Sequence, residues 1–313
     1  QMRKTFFQFA LIVLVAVSIV SCKKDEDTAM PETIYEMAKA NPELSTLASA
    51  LEMTGLDDDL NGSGALTVFA PTNAAFTNFL SANGFANLDA VPVDVLTNTL
   101  LNHVINAEKK AADLSTGYLK TLATYSSNNL SVYVNTASGV ILNGGAKVVT
   151  ADVEASNGVI HVVDAVIAIP TVVTFAVSNP DFSILVAALT RPDLSTNYAT
   201  VLSGTGPFTV FAPTNAAFTA LLAELGATSL DDIDAPTLEK VLTYHVVSGN
   251  VVASSLTEGQ VVTTLQSGTF TIGLTGGAKI TDFNNRVSNI VATDVQAGNG
   301  VVHVIDKVLL PQL

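Results

Sequence analysis

The chain has 313 residues, 48% of them hydrophobic and 13% charged, a composition that excludes a disordered polymer and supplies material for packed cores. Its formal net charge of −14 argues against nucleic acid or an anionic membrane surface as a partner. One cysteine cannot form an internal disulfide, so any fold must rest on packing alone.

Arg3 and Lys4 make a short basic start, and residues 9–20 are then apolar apart from Ser18, too short a run to span a bilayer as a mature helix. The run ends in Ile19-Val20-Ser21-Cys22, which resembles the bacterial lipobox with its small residue before the cysteine. We therefore expect a lipoprotein signal peptide over 1–21, lipidation of Cys22, and a polar, acidic tether over 22–30. Several acyl chains on one residue hold a protein to a membrane far better than a single chain. Lys23-Lys24-Asp25-Glu26-Asp27 also resembles the Lys-plus-acidic export signal of Bacteroidetes surface lipoproteins. The expected location is the outer membrane, exposed at the cell surface, with the periplasmic face as the alternative.

The rest of the chain is written twice. TVFAPTNAAFT occupies 67–77 and returns letter for letter at 209–219, and NGVIHVVD at 157–164 returns as NGVVHVID at 299–306. His103, Leu114 and Gly117 recur at the same spacing as His245, Leu256 and Gly259. A literal GGAK at 144–147 and 276–279 breaks that spacing and reads as a coincidence. Two long copies are too few for a solenoid, and each can bury its own core. The expected domains are 31–169 and 170–313, with so short a joint that the angle between them should be fixed.

Each copy opens with helical spacing: Ile34, Met37 and Ala38, then Leu44, Leu47, Ala48 and Leu51; its twin shows Phe175, Phe182, Leu185, Val186 and Leu189. A short strand follows at 66–69 and 208–211. Pro71 and Pro213 stop ladder pairing, and Thr72 and Thr214 are set to cap a second helix, on which Phe76, Phe79 and Leu80 share a face. A third helix is predicted over 93–104 and 238–246. Period-two alternation then takes over, as in Leu130-Ser131-Val132-Tyr133-Val134, so helices precede a sheet-rich half and the class is α+β. Asn157-Gly158 and Asn299-Gly300 read as tight turns. The strand after each is apolar on both faces, hence central.

Asn73 and Asn215 follow the caps; the reading is a side-chain amide tying the turn to a neighbouring strand, against an anion site at the helix start. Asp57-Asp58-Asp59-Leu60-Asn61-Gly62 begins like a calcium loop, but the position requiring a bidentate Glu is Val68, so no metal is expected. The four histidines form two equivalent pairs, His103 with His245 and His161 with His303, without the convergent ligands of a metal site. Asp164 and Asp306 lie three residues past a strand histidine and so face away from it. No catalytic residue and no cofactor is expected.

Together these blocks resemble the fasciclin-like domain: a strand ending in TVFAPTNAAF, a Tyr-His or Asn-His ending a later helix, and a closing NGVIHVVD strand followed by Pro170 or Pro311. The resemblance implies two tandem domains, each a β-sheet wedge or sandwich flanked by several helices, in an extracellular protein of adhesion and matrix contact. It implies box residues Phe69, Pro71, Thr72, Asn73 and Phe76, Asn157, Gly158, His161 and Asp164 in the first copy. The second carries Phe211, Pro213, Thr214, Asn215 and Phe218, Asn299, Gly300, His303 and Asp306. It also makes Tyr244 and His245 candidate interaction residues, since the Tyr-His region of animal members is linked to receptor binding. Asn102 and His103 stand at that place in the first copy, without the tyrosine. The expected partners are protein or glycan ligands at the cell surface, or another copy of the chain, with the membrane reached through the N-terminal lipid. The alternatives are an enzyme accessory or weak hydrolase using the domain histidines, and a spacer for another outer-membrane lipoprotein.

Overall fold

The structure, a computed structural model, describes residues 32–313. The expected leader 1–21, Cys22 and the tether 22–30 lie outside the described residues. The first copy runs α1 (Ile34–Ala40), α2 (Ser45–Thr54), α3 (Asp57–Asn61), β1 (Leu66–Pro71), α4 (Asn73–Ala82) and α5 (Val93–Leu101), then β2 (Val104–Ile105), β3 (Gly117–Tyr125), β4 (Asn128–Asn135), β5 (Ile141–Leu142), β6 (Ala146–Ala155) and β7 (Gly158–Val163). The second repeats the pattern as α6 (Val172–Ser178), α7 (Ser183–Leu189), α8 (Tyr198–Leu202), β8 (Phe208–Pro213), α9 (Asn215–Leu225) and α10 (Ala235–Tyr244), then β9 (Val246–Ser248), β10 (Val261–Thr263), β11 (Thr269–Gly273), β12 (Lys279–Thr281), β13 (Val287–Ala297) and β14 (Gly300–Ile305).

Each copy builds one mixed sheet of seven strands, in the order β2-β1-β7-β6-β5-β4-β3 and its equivalent β9-β8-β14-β13-β12-β11-β10. Only β1 with β7, and β8 with β14, pair in parallel. In the first domain the expected wedge is therefore one sheet bent on itself, curling until its edge strands β2 and β3 lie side by side. The bend sits in β6 and β13, whose registers slip where Asp152 and Asp294 take φ of 59° and 57°. A bulge of this kind tightens twist and turns a strand. Alternation along β1 then serves two cores. Val68 and Ala70 pack with Leu47, Leu51, Phe76 and Leu96 under the helices, while Phe69 packs with Val132, Val134, Leu142 and Val163 inside the fold of the sheet. Strand β7 is central, as its two apolar faces require.

Two local expectations need correction, and the acidic stretch at 57–61 proves to be a helix. The third helix stops at Leu101 or Tyr244, because the chain must leave it to pair β2 and β9 with the strand box: Phe69 N donates to His103 O, and Phe211 N to His245 O, at 2.9 Å each. Asp57–Asn61 is helical, so its acids cannot wrap an ion as a loop would. The joint is longer than expected, eight residues from Val163 to Val172, yet it is pinned: Gly298 N donates to Pro170 O at 2.8 Å, and the Ile167 amide is held by His103.

The two domains also touch directly. Tyr133, 3% exposed, belongs to the core cluster of the second domain, and Tyr118 packs edge-on against Phe175 with ring centroids 5.6 Å apart. The Gln296 amide donates to Ser131 Oγ at 3.0 Å.

Candidate functional site

Parallel pairing of β1 with β7 brings the two recurring boxes into contact. Phe69 is the register partner of His161, and Phe211 of His303, with rings stacked at 5.5 and 5.3 Å. Both imidazoles are buried and spend both nitrogens on backbone. His161 Nε2 donates to Lys109 O at 2.9 Å while Nδ1 accepts from the Asp152 amide; His303 repeats this with Val251 O and the Asp294 amide. Burial holds the His303 pKa below its ordinary value. These rings therefore pin the bulge of the sheet to the loop that crosses it.

Asn102, His103, Tyr244 and His245, the residues expected to meet a partner, lie inside the protein, none more than 4% exposed. Each histidine sits just past a helix end. His103 Nδ1 donates to Thr99 O at 2.7 Å, and His245 Nδ1 to Val241 O at the same distance, satisfying carbonyls that the last turn leaves free. The opposite nitrogens accept from the Ile167 and Leu309 amides at 2.8 and 2.9 Å, which fastens the closing tail of each domain. Burial pushes both pKa values down to about 4. The Asn102 amide donates to Ile167 O and Ala168 O on the same tail. Tyr244 instead reaches across the sheet, its hydroxyl donating to Thr269 O at 2.5 Å and accepting from Phe283 N, with burial raising its pKa to about 12. The geometry gives these four residues a fastening role and no exposed contact surface.

The remaining box residues act as latches. Thr72 and Thr214 cap α4 and α9, accepting from Ala75 N and Ala217 N. Asn73 ties that corner to the start of α2, not to a strand: Oδ1 accepts from Thr46 N at 2.9 Å and Nδ2 donates to Pro42 O at 2.8 Å. Asn215 does the same with Ile184 N and Pro180 O. Both side-chain amides are thereby committed to the neighbouring helix starts. Asn157 accepts from Ile34 N and donates to Leu60 O and Gly62 O, and Asn299 repeats this with Val172 N, Leu202 O and Gly204 O. Asp164 and Asp306 accept from the Lys147 and Asn289 amides, closing the β6–β7 and β13–β14 hairpins. Phe76 and Phe218 are 1% exposed under the helices, and Pro71 and Pro213 end their strands.

A cleft of about 350 Å³ opens beside α2, α3 and α5, with largely apolar walls and Asp59 and Ser63 among its lining. His103 borders it, but a general base needs a free lone pair aimed at substrate. Both of its ring nitrogens are bound to backbone, so the hydrolase reading lacks its base. His245 borders a small gap of about 30 Å³, and both of its ring nitrogens are likewise bound to backbone. Among the described residues no group of three His, Cys, Asp or Glu side chains converges as metal ligands.

Comparison with known proteins follows the duplication. The Fasciclin domain family model matches residues 42–170 and 180–311. Human periostin is 31% identical over 259 residues, covering 82% of this chain, which in turn spans only 29% of periostin. The cell surface glycolipoprotein MPB83 of Mycobacterium bovis is 37% identical over 145 residues, 45% of this chain and 60% of its own length. The solved FAS1 domain pair of the insect cell adhesion molecule fasciclin I covers 86% of this chain and 97% of its own, with a TM-score of 0.52 at 20% identity; at that identity it speaks for the fold.

Proposed function

The chain belongs to the fasciclin domain family, with two copies of the domain in tandem, and from that premise we propose a non-enzymatic, lipid-anchored cell-surface protein that serves adhesion or matrix contact. The observation that carries this reading is the use of the family's boxes as internal fasteners. All four histidines are bound on both ring nitrogens by backbone groups, which leaves recognition to the outer surface. A relative supports the location, being a cell surface glycolipoprotein. The lipobox-like end at Cys22 supplies the anchor.

The adhesion reading is tested by immobilising the protein and measuring binding of cells, matrix proteins, glycans and further copies of itself. Binding of at least one supports it, and failure of all four overturns it. The anchor is tested separately by incorporation of an alkyne-tagged fatty acid in the native host, with label expected on the wild-type chain and absent from Cys22→Ser. Protease access on intact cells distinguishes the outer face from the periplasmic one. The direct contact between domains favours a second reading, a stiff spacer, which co-purification with another outer-membrane lipoprotein would support.

A further inference from the structure

The repeat allows one domain's surface to be compared with the other's, position by position. On the second domain, a hollow between α6 and β13–β14 is filled by the outward face of β3–β4. Tyr133 enters the cluster formed by Phe175, Phe182, Val295, Val302 and Val304, and Tyr118 lies against it with rings 5.1 Å apart. Asn179 reads both hydroxyls: Tyr133 donates to Oδ1, and Nδ2 donates to Tyr118, each at 3.2 Å. Lys120 Nζ donates to the carbonyl of Asp294 on the bulge.

The first domain has the same hollow, and among the described residues it is open. Between α1 and β6–β7 lies a cleft of about 240 Å³ lined by Met37, Asn41, Leu44, Val153, Ile160 and Val162. These occupy the repeat positions of Phe175, Asn179, Phe182, Val295, Val302 and Val304. Asn41 Oδ1 accepts from Glu43 N just as Asn179 Oδ1 accepts from Asp181 N, at 3.0 Å in both, but Asn41 Nδ2 has no hydrogen-bond partner among the described residues. Glu154 is exposed where its twin Gln296 is fully buried. Of the exposed acids nearby, Glu32 lines the cleft where the second domain has Pro170, while Glu154 pairs with Lys110 and Asp152 accepts from the Ala111 amide.

We propose that this cleft of the first domain docks a basic β-hairpin of another protein whose outward face carries an aromatic pair, the chemistry that β3–β4 offers the second domain. A second copy is a poor occupant. Its own β3–β4 face is already engaged by the second domain, and the matching face of β10–β11 shows Val261, Thr263, Thr269 and Thr271 with no aromatic ring. A formal charge of −14 also sets copies against one another. An aromatic pair suits the apolar floor, a hydroxyl suits Asn41, and a lysine or arginine suits Glu32 and the Asp152 carbonyl, the twin of the Asp294 carbonyl that Lys120 meets. The inference rests on the adhesion reading for its biological use alone; hairpin binding and cell binding are separate measurements, so either can fail without the other.

The probe is a cyclised peptide of residues 116–136, which holds Tyr118, Lys120 and Tyr133, titrated into the full chain labelled with ¹³C at its methionine methyls. Met37 lines the cleft, and Met53 on α2 serves as a control. The Met37 signal should move saturably, with a dissociation constant of about 100 μM, while Met53 stays. A peptide with Tyr118→Ala and Tyr133→Ala should bind at least ~10-fold more weakly, and Ala40→Arg in the protein, at an exposed position that also lines the cleft, should abolish the shift. No Met37 response at millimolar peptide, or an equal response to the alanine peptide, overturns the proposal. So does sedimentation equilibrium showing a dimer that Ala40→Arg returns to monomer, since the occupant would then be a second copy.

Discussion

At the scale of single residues, the boxes are fasteners, and their chemistry predicts how they fail. His103 and His245 have pKa values near 4 in the fold against about 6.5 when unfolded. A depressed value means the folded state prefers the neutral ring. Its stabilisation is complete above pH 6.5 and is lost as pH falls through 4, about 3 kcal/mol for each histidine. The imidazole resonances should titrate near pH 4, and urea midpoints should drop steeply between pH 6.5 and 4. A titration near 6.5 would contradict the burial. Gly158 is a second such point. A Cβ there would stand 2.0 Å from Leu66 O, whereas at Gly84 it would meet nothing. Gly158→Ala should therefore cost about 3 kcal/mol or more and Gly84→Ala only about 1, read by thermal melting. The Asn-Gly pair was legible as a turn. The close approach of β1 was not, because it is set by a partner strand some ninety residues away in sequence. Nor could spacing reveal that Asn102, His103, Tyr244 and His245 point inward, since a helix end looks the same in sequence whether a core or solvent lies beyond it.

At the scale of elements, the helix-then-sheet order and the corner at Thr72 were legible because caps, proline stops and periodicity are local signals. Discarding the GGAK coincidence was right for a structural reason. Its first copy turns between β5 and β6, its second between β11 and β12, which are different hairpins of the repeat. The parallel pairing of β1 with β7 is nonlocal and left no periodic mark, yet it explains why both boxes recur. Phe69 stacks on His161 and Phe211 on His303, so a change in one box is felt in the other. Phe69→Ala should cost about 3–5 kcal/mol, since the side chain is fully buried in the fold of the sheet. In addition it should shift the His161 ring resonances. Stability near wild type in a urea melt would contradict this placement.

At the scale of the whole molecule, the two copies are nearly the same object placed in different surroundings, and the differences between them mark where those surroundings act. Val153, Glu154 and Ala155 are partly or fully exposed, while Val295, Gln296 and Ala297 are buried, because Tyr133 and Ser131 cover the second set. A short joint suggested a fixed angle, but the aromatic hinge plate was hidden: Tyr118 and Tyr133 alternate along strands as any outward pair would, and sequence does not say what stands outside. If this contact couples the domains, the native chain should unfold in one calorimetric transition. Tyr133→Ala removes a ring from the second domain's core and a hydroxyl from Asn179, so it should cost about 3 kcal/mol. It should also split the transition in two and raise the radius of gyration in solution scattering. The loss belongs to the second domain although the substitution lies in the first, a displacement that independent domains on a slack tether would not show. A single unsplit transition with unchanged scattering would mean that the joint at Pro170, and not the tyrosine pair, holds the angle.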